Sequence, residues 1–179
     1  MNLWPFKKHQ STPVTKSVRK NRAQLMTEFI DRPEHQWIVQ DNSVLRSFKW
    51  LWESLPQEAI NKLADLSSVL FVKSSGRLSG TYTQNLGIHV VLVFPDLLKM
   101  LKAADPSWGV VTLLHEIGHI LEGHSQAEIA PLEAQVQADA WVVKAGLGPE
   151  LETFLLSLPE NSEKRIRLTH LSALWAQNQ

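Results

Sequence analysis

The chain contains no cysteine. A disulfide framework is therefore excluded, and any metal must be held by His, Asp, Glu or other N/O donors. A net charge of either sign is also missing: 18 Lys and Arg stand against 18 Asp and Glu. That balance argues against a whole-protein nucleic-acid or membrane-surface binder. Long apolar runs are scarce. The longest, Ile88 to Phe94, is interrupted by His89 and falls far short of the roughly 20 residues that span a bilayer. No apolar stretch follows Lys7 and Lys8, which argues against a secretory signal. Internal repeats and low-complexity segments are missing as well. Together these absences point to a soluble protein, and the lack of cysteine suits a cytoplasm.

What is present is enough for a core. The length is 179 residues, of which 44% are hydrophobic, a combination that fits one compact domain. The zero net charge conceals an uneven distribution. Residues 1–22 hold Lys7, Lys8, Lys16, Arg19, Lys20 and Arg22 and no acid. They read as a flexible basic tail, and residues 23–179 as a single domain. Any contact with nucleic acid or an acidic partner would come through that tail.

Periodicity and punctuation predict mostly helices around a small β section. Helices are expected over 23–31, from a cap at Asn42 or Ser43 to about 53, and over 56–66. Strands are expected over 69–73, 77–83 and 88–94, the last being the strongest. Helices follow over 96–104, 107–123, 131–145, 149–157 and 161–176, with Pro131 in a first turn and Gly146 at a helix end. Trp37, Phe48, Trp50 and Trp52 read as core or interface aromatics, and a protein partner could dock on this N-terminal part.

The segment from Val110 to Leu121 carries His115-Glu116-Ile117-Gly118-His119 inside an apolar helix. Residues four apart share a helix face, so His115 and His119 can point at one metal ion. Glu116 is turned about 100° away and can reach a water without being a ligand. A carboxylate there can act as general base. Zinc is the natural metal for two imidazoles plus an oxygen donor. Gly118 costs about 1 kcal/mol of helix propensity, which implies that something packs close to it. His124 lies five residues beyond His119 and reads as a site neighbour or helix-end residue.

A third ligand is expected on the next helix. At 100° per residue, Leu132, Val136, Asp139 and Val143 fall within about 60° of one another. Asp139 is thus a carboxylate on an inward apolar stripe, where an unpaired charge is costly. It is expected in the metal site, and is the first choice as direct ligand with His115 and His119. Glu133 lies on the other side of the helix and reads as a first-turn acid acting on the helix dipole, with a ligand role as the alternative.

Ile88 to His124 resembles the heart of the HtpX and CAAX-prenyl-protease type of zinc metallopeptidases. The matching residues are Val90 to Phe94, Leu97-Leu98, His115-Glu116-Ile117-Gly118-His119 and His124. Gln135-Val136-Gln137-Ala138-Asp139 is similar to that family's Glu-x-x-Ala-Asp. Ser162-Glu163-Lys164-Arg165-Ile166 is a faint echo of its Ser-x-x-x-Arg-Ile. The short gap between the two helices is more similar to the ImmA/IrrE-like peptidases of bacteria and mobile elements, so an origin of that kind is implied. The resemblance implies a zincin-like α+β fold, mostly helical, whose sheet-edge strand at 88–94 precedes the site helix and pairs with an extended peptide substrate. It implies Zn2+ bound by His115 and His119, Glu116 as base, and Asp139 as the aspartate that orients a ligand histidine. It also exposes a departure: Gln135 stands where the family places its zinc-binding glutamate. Two functions follow as expectations. One is a zinc-dependent endopeptidase; the other is a peptidase-fold protein that has lost activity and acts as a binding or regulatory module.

Overall fold

The structure is a computed structural model that describes residues 21–66, 68–75, 79–83 and 87–177. The basic tail therefore lies outside the described residues as far as residue 20. Asn21 caps the first helix and Arg22 begins it. Asn21 and Gln24 form a capping box at the start of α1 (Arg22–Ile30). Arg22 then donates to the carbonyl oxygens of Trp52 and Leu55, satisfying backbone groups near the end of another helix.

A 3-10 turn (Pro33–His35) and a short α2 (Gln36–Val39) follow, neither of which the sequence pattern had suggested. Next come α3 (Asn42–Ser54) and α4 (Gln57–Asp65). The cap of α3 is Asp41, not Asn42 or Ser43: its carboxylate accepts from the backbone N–H groups of Ser43 and Val44. Strands β1 (Ser68–Lys73), β2 (Ser79–Thr83) and β3 (Ile88–Val93) form one sheet. The rest is helical: α5 (Pro95–Leu101), α6 (Ser107–Leu121), α7 (Pro131–Lys144), α8 (Gly148–Ser157) and α9 (Ser162–Gln177). Mostly helical α+β is thus the observed architecture. Among the described residues no helix is long and apolar enough to cross a membrane.

The sheet order corrects one expectation. It runs β1-β3-β2, with β1 parallel and β2 antiparallel to β3. The strand at 88–93 is central rather than an edge, because both its sides are paired. Its alternating burial turns His89, Val91 and Val93 inward. Helix α6 lies against β2 and β3.

The outer side of β1 is closed by side chains. His35 is fully buried; its Nδ1 donates to the carbonyl of Phe29 at 2.6 Å, and its Nε2 accepts from the N–H of Phe71 at 3.0 Å. The Trp37 indole donates to the Phe71 carbonyl at 3.1 Å. Both backbone groups of Phe71 that a further strand would use are therefore taken. Phe71 itself joins Phe29, Phe48 and Trp52 in an aromatic cluster, with ring centroids 5.2–5.7 Å apart. Of the aromatics of α3, Phe48 and Trp52 are core residues, and the partly buried Trp50 packs against that core.

Burial holds the pKa of His35 below the usual imidazole range, with the Phe29 hydrogen bond opposing that shift only in part. A proton on Nε2 would also break the bond from Phe71. The contribution of neutral His35 is complete above about pH 6.5 and is lost as pH falls through the lower folded-state value. Denaturant melts between pH 7 and pH 4 should show stability falling with acid. His35→Phe should be less stable at pH 7, with a flatter pH dependence over that range.

A close helix contact sits at the centre of the motif. A Cβ on Gly118 would lie 2.9 Å from both the Cα and the carbonyl oxygen of Ala138 on α7. Backbone meets backbone there, so nothing can rotate aside. Gly118→Ala is expected to destabilise the fold by about 1–3 kcal/mol despite its better helix propensity. Urea denaturation would check this; an unchanged midpoint would contradict the packing argument.

Candidate metal site

Helix α6 is buried for nearly its whole length, which brings the motif inside the protein. His115 is 8% exposed and Glu116 9%. Four residues of rise place His119 one turn on, with its ring 4.7 Å from that of His115, centroid to centroid. The Nε2 atoms of the two rings are 3.1 Å apart. Gln135 on α7 brings its Oε1 to 3.0 Å from the same Nε2 of His115.

The opposite nitrogens of the two rings determine what those atoms are. His115 Nδ1 donates to Asp139 Oδ1 at 2.8 Å. In the neutral ring its Nε2 is then a lone pair. At the other ring, His119 Nδ1 lies 2.8 Å from His124 Nδ1, and His124 Nε2 lies 2.8 Å from Gln137 Oε1. Gln137 Nε2 donates onward to Glu133 Oε1 at 3.2 Å. Because Gln137 Oε1 can only accept, His124 carries its proton on Nε2. His124 Nδ1 is then an acceptor, and His119 Nδ1 must donate to it. His119 Nε2 is left as a second lone pair. With the protons so placed, His115 Nε2, His119 Nε2 and Gln135 Oε1 face one another as three acceptors, the latter two 3.1 and 3.0 Å from the first, an arrangement satisfied by a cation among them or by a proton on His115 Nε2.

His124 reaches His119 because of how α6 ends. Gly123 adopts a φ of 69°, the N–H of Gly123 bonds to the Ile120 carbonyl, and the N–H of His124 bonds to the His119 carbonyl. This is a Schellman turn, which brings the side chain after the glycine back over the last helical turn. The contact usual at that position is apolar; here it is imidazole on imidazole.

Asp139 sits behind His115. Its Oδ1 takes bonds from His115 and from Arg167 Nη2 at 2.7 Å, and its Oδ2 takes Arg167 Nε at 2.7 Å. Both oxygens are engaged on the Nδ1 side of the ring, away from the lone pairs. The direct-ligand role expected for Asp139 does not match this geometry; an orienting role does. Glu133 does not approach the lone pairs either and lies at the exposed end of the hydrogen-bonded chain. Arg167, supplied by α9, escaped the sequence reading. It stands two residues after Arg165, the position in the faint family echo. The inward stripe on α7 demanded a partner for Asp139 but could not say which element would bring it.

Electrostatics keep His119 neutral. Burial, then the neighbouring His115 and His124, pushes the pKa of His119 down to about 3. Burial disfavours the charged form of Asp139, yet hydrogen bonds from His115 and Arg167 outweigh it and hold the carboxyl below its usual range. Asp139 and Arg167 thus form a buried ion pair that keeps the proton of His115 on Nδ1.

The donor set fits a divalent metal in part. Two bonds of 2.0–2.1 Å at a tetrahedral angle place their nitrogens about 3.3 Å apart, close to the separation of the two Nε2 atoms. Among the described residues, however, no group of three His, Asp or Glu side chains converges to hold a metal. His124 fails as a third member because it meets His119 at Nδ1. The third converging atom is the uncharged oxygen of Gln135. Comparisons with protein-family models, curated proteins and solved structures return no match for this chain.

Proposed function

We propose that this chain is a zinc-dependent peptidase, zincin-like in fold and similar to the HtpX/CAAX-prenyl-protease and ImmA/IrrE-like enzymes. The observation that carries the reading is the convergence of the His115 and His119 lone pairs on a buried His-Glu-x-x-His helix. In this reading His115 and His119 hold the metal, Gln135 offers a third oxygen, and Asp139 with Arg167 fixes the ring of His115. Zinc at this position would supply Lewis acidity to a scissile carbonyl and lower the pKa of a water. The Glu116 carboxylate accepts the proton of the attacking water and delivers it to the leaving amine nitrogen. Strand β2 replaces 88–94 as the strand for substrate. It lies against α6, and among the described residues it pairs only with β3. An extended peptide would add to its outer side through main-chain hydrogen bonds.

Zinc content and cleavage of a peptide library, measured on the wild type and Glu116→Gln, test this. The expected result is equal zinc in both and hydrolysis reduced at least about a hundredfold in the variant. Equal hydrolysis would sink the mechanism. A second reading is favoured by Gln135, which makes the donor set neutral: a peptidase-fold binding module without turnover. Stoichiometric zinc with clear hydrolysis would reject it.

A further inference from the structure

A chain of hydrogen bonds runs from solvent to His119. It begins at Glu133, an exposed residue in the first turn of α7, whose Oε1 accepts from Gln137 Nε2 at 3.2 Å. Residues four apart share a helix face, so this pair forms within α7 alone. Gln137 Oε1 lies 2.8 Å from His124 Nε2, and His124 Nδ1 lies 2.8 Å from His119 Nδ1. Helix α7 thus backs both histidines of the motif. Asp139 stands behind His115, and Gln137 stands behind His119 by way of His124.

Each link sets the next. An amide can face a neighbour with its oxygen or its nitrogen, and a neutral imidazole can carry its proton on either ring nitrogen. A carboxylate can only accept. Glu133 therefore turns the nitrogen of Gln137 toward itself and leaves the oxygen for His124. That oxygen draws the His124 proton to Nε2, and the bare Nδ1 of His124 draws the His119 proton to Nδ1. Glu133 is the one member of the chain that cannot reverse, so the direction is fixed at the exposed end. His119 Nε2 is left as an acceptor facing His115.

We propose that Glu133 is a positioning residue: through Gln137 and His124 it holds the proton of His119 on Nδ1. The proposal deepens the metal-site reading and rests on it for its use, since His119 needs a bare Nε2 to bind metal there. The tautomer itself is a property of the metal-free protein, so the two can fail separately.

Glu133→Lys reverses the end of the chain. An ammonium can only donate, so it takes the oxygen of Gln137 and turns the amide nitrogen toward His124. The His124 proton should then move to Nδ1 and the His119 proton to Nε2. Position 133 is exposed, so the fold should tolerate the change. Glu128→Lys makes the same charge change at another exposed position and should move neither proton. Adding Gln137→Glu to Glu133→Lys puts a carboxylate beside His124 Nε2 and should return both protons.

Long-range 1H–15N correlation spectra of the zinc-free, full-length protein read the tautomer of each histidine ring. The expected result is a protonated Nδ1 on His119 in the wild type and in Glu128→Lys. Glu133→Lys should show a protonated Nε2, and the double variant Nδ1 again. A His119 tautomer unchanged by Glu133→Lys, moved equally by Glu128→Lys, or not restored in the double variant would overturn the proposal. Zinc competition with a chelator, run in parallel, should show binding about 10–100-fold weaker in Glu133→Lys. A tautomer that moves while zinc binding does not would count against the metal-site reading, and the relay would stand.

Discussion

Asp139→Ala is expected to destabilise the protein by about 3–5 kcal/mol, the usual cost of stranding a buried charge. The stranded charge is Arg167, whose side chain is 10% exposed and whose Nε and Nη2 both donate to Asp139. Its Nη1 contact with Glu163 at 3.4 Å is near the surface and cannot compensate. His115 also loses the acceptor that holds its proton on Nδ1. Urea denaturation at pH 7 reads the first effect. Asp139→Leu combined with Arg167→Leu separates the two. The double variant should regain most of the stability, because no charge is left buried, but it should still bind zinc about 10–100-fold more weakly. Single and double variants of equal stability would show that the ion pair is not what holds α7 to α9. Acid should mimic the single variant. The carboxyl's folded-state pKa is depressed, so its contribution is present above about pH 3.8 and is lost as pH falls through the lower value.

Gln135→Glu is expected to tighten zinc binding about a thousandfold. A unit charge close to a cation gains about 4 kcal/mol at an effective dielectric constant of 20, which is about three powers of ten. The amide oxygen already lies 3.0 Å from His115 Nε2, so the exchange needs no backbone movement. Competition with a chromophoric chelator would measure the gain. A change of less than tenfold would mean that Gln135 swings away when zinc enters. If hydrolysis appears only in the glutamate form, the natural chain is the binding module and not the enzyme.

Much of the fold was legible because its signals are local. Pro56, Pro95 and Pro131 sit at the start of helices, Gly146 ends one with a φ of 79°, and the apolar period of α6 is uninterrupted. The 3-10 turn and α2 were missed because Pro33 breaks the helical pattern and the two elements are only three and four residues long. What that segment does is long-range: His35 and Trp37 reach Phe71, more than thirty residues on. Strand order was illegible for the same reason. An alternating strand such as Ile88–Val93 looks alike at an edge or in the centre when one face is half-covered.

In the site, the His pair and the inward position of Asp139 followed from helix geometry alone. The direction of the Asp139 carboxylate did not, because it depends on Arg167 from a different helix. Gln137 drew no functional reading, yet it anchors the proton position of His124. A helical wheel records direction from an axis; it carries no information on which side chains can be reached across a turn.

The pairing of Asp139 with Arg167 also sets an order of assembly. During synthesis the His-Glu-x-x-His segment emerges first, and Arg167 follows roughly fifty residues later. Chains generally fold from the N-terminal side as they are made. Until α9 docks, Asp139 lacks its counter-charge and His115 is not locked in one tautomer. A nascent or C-terminally nicked chain would carry both histidines and still hold metal poorly. In the proposed reading, docking of α9 thus times the readiness of the site for metal.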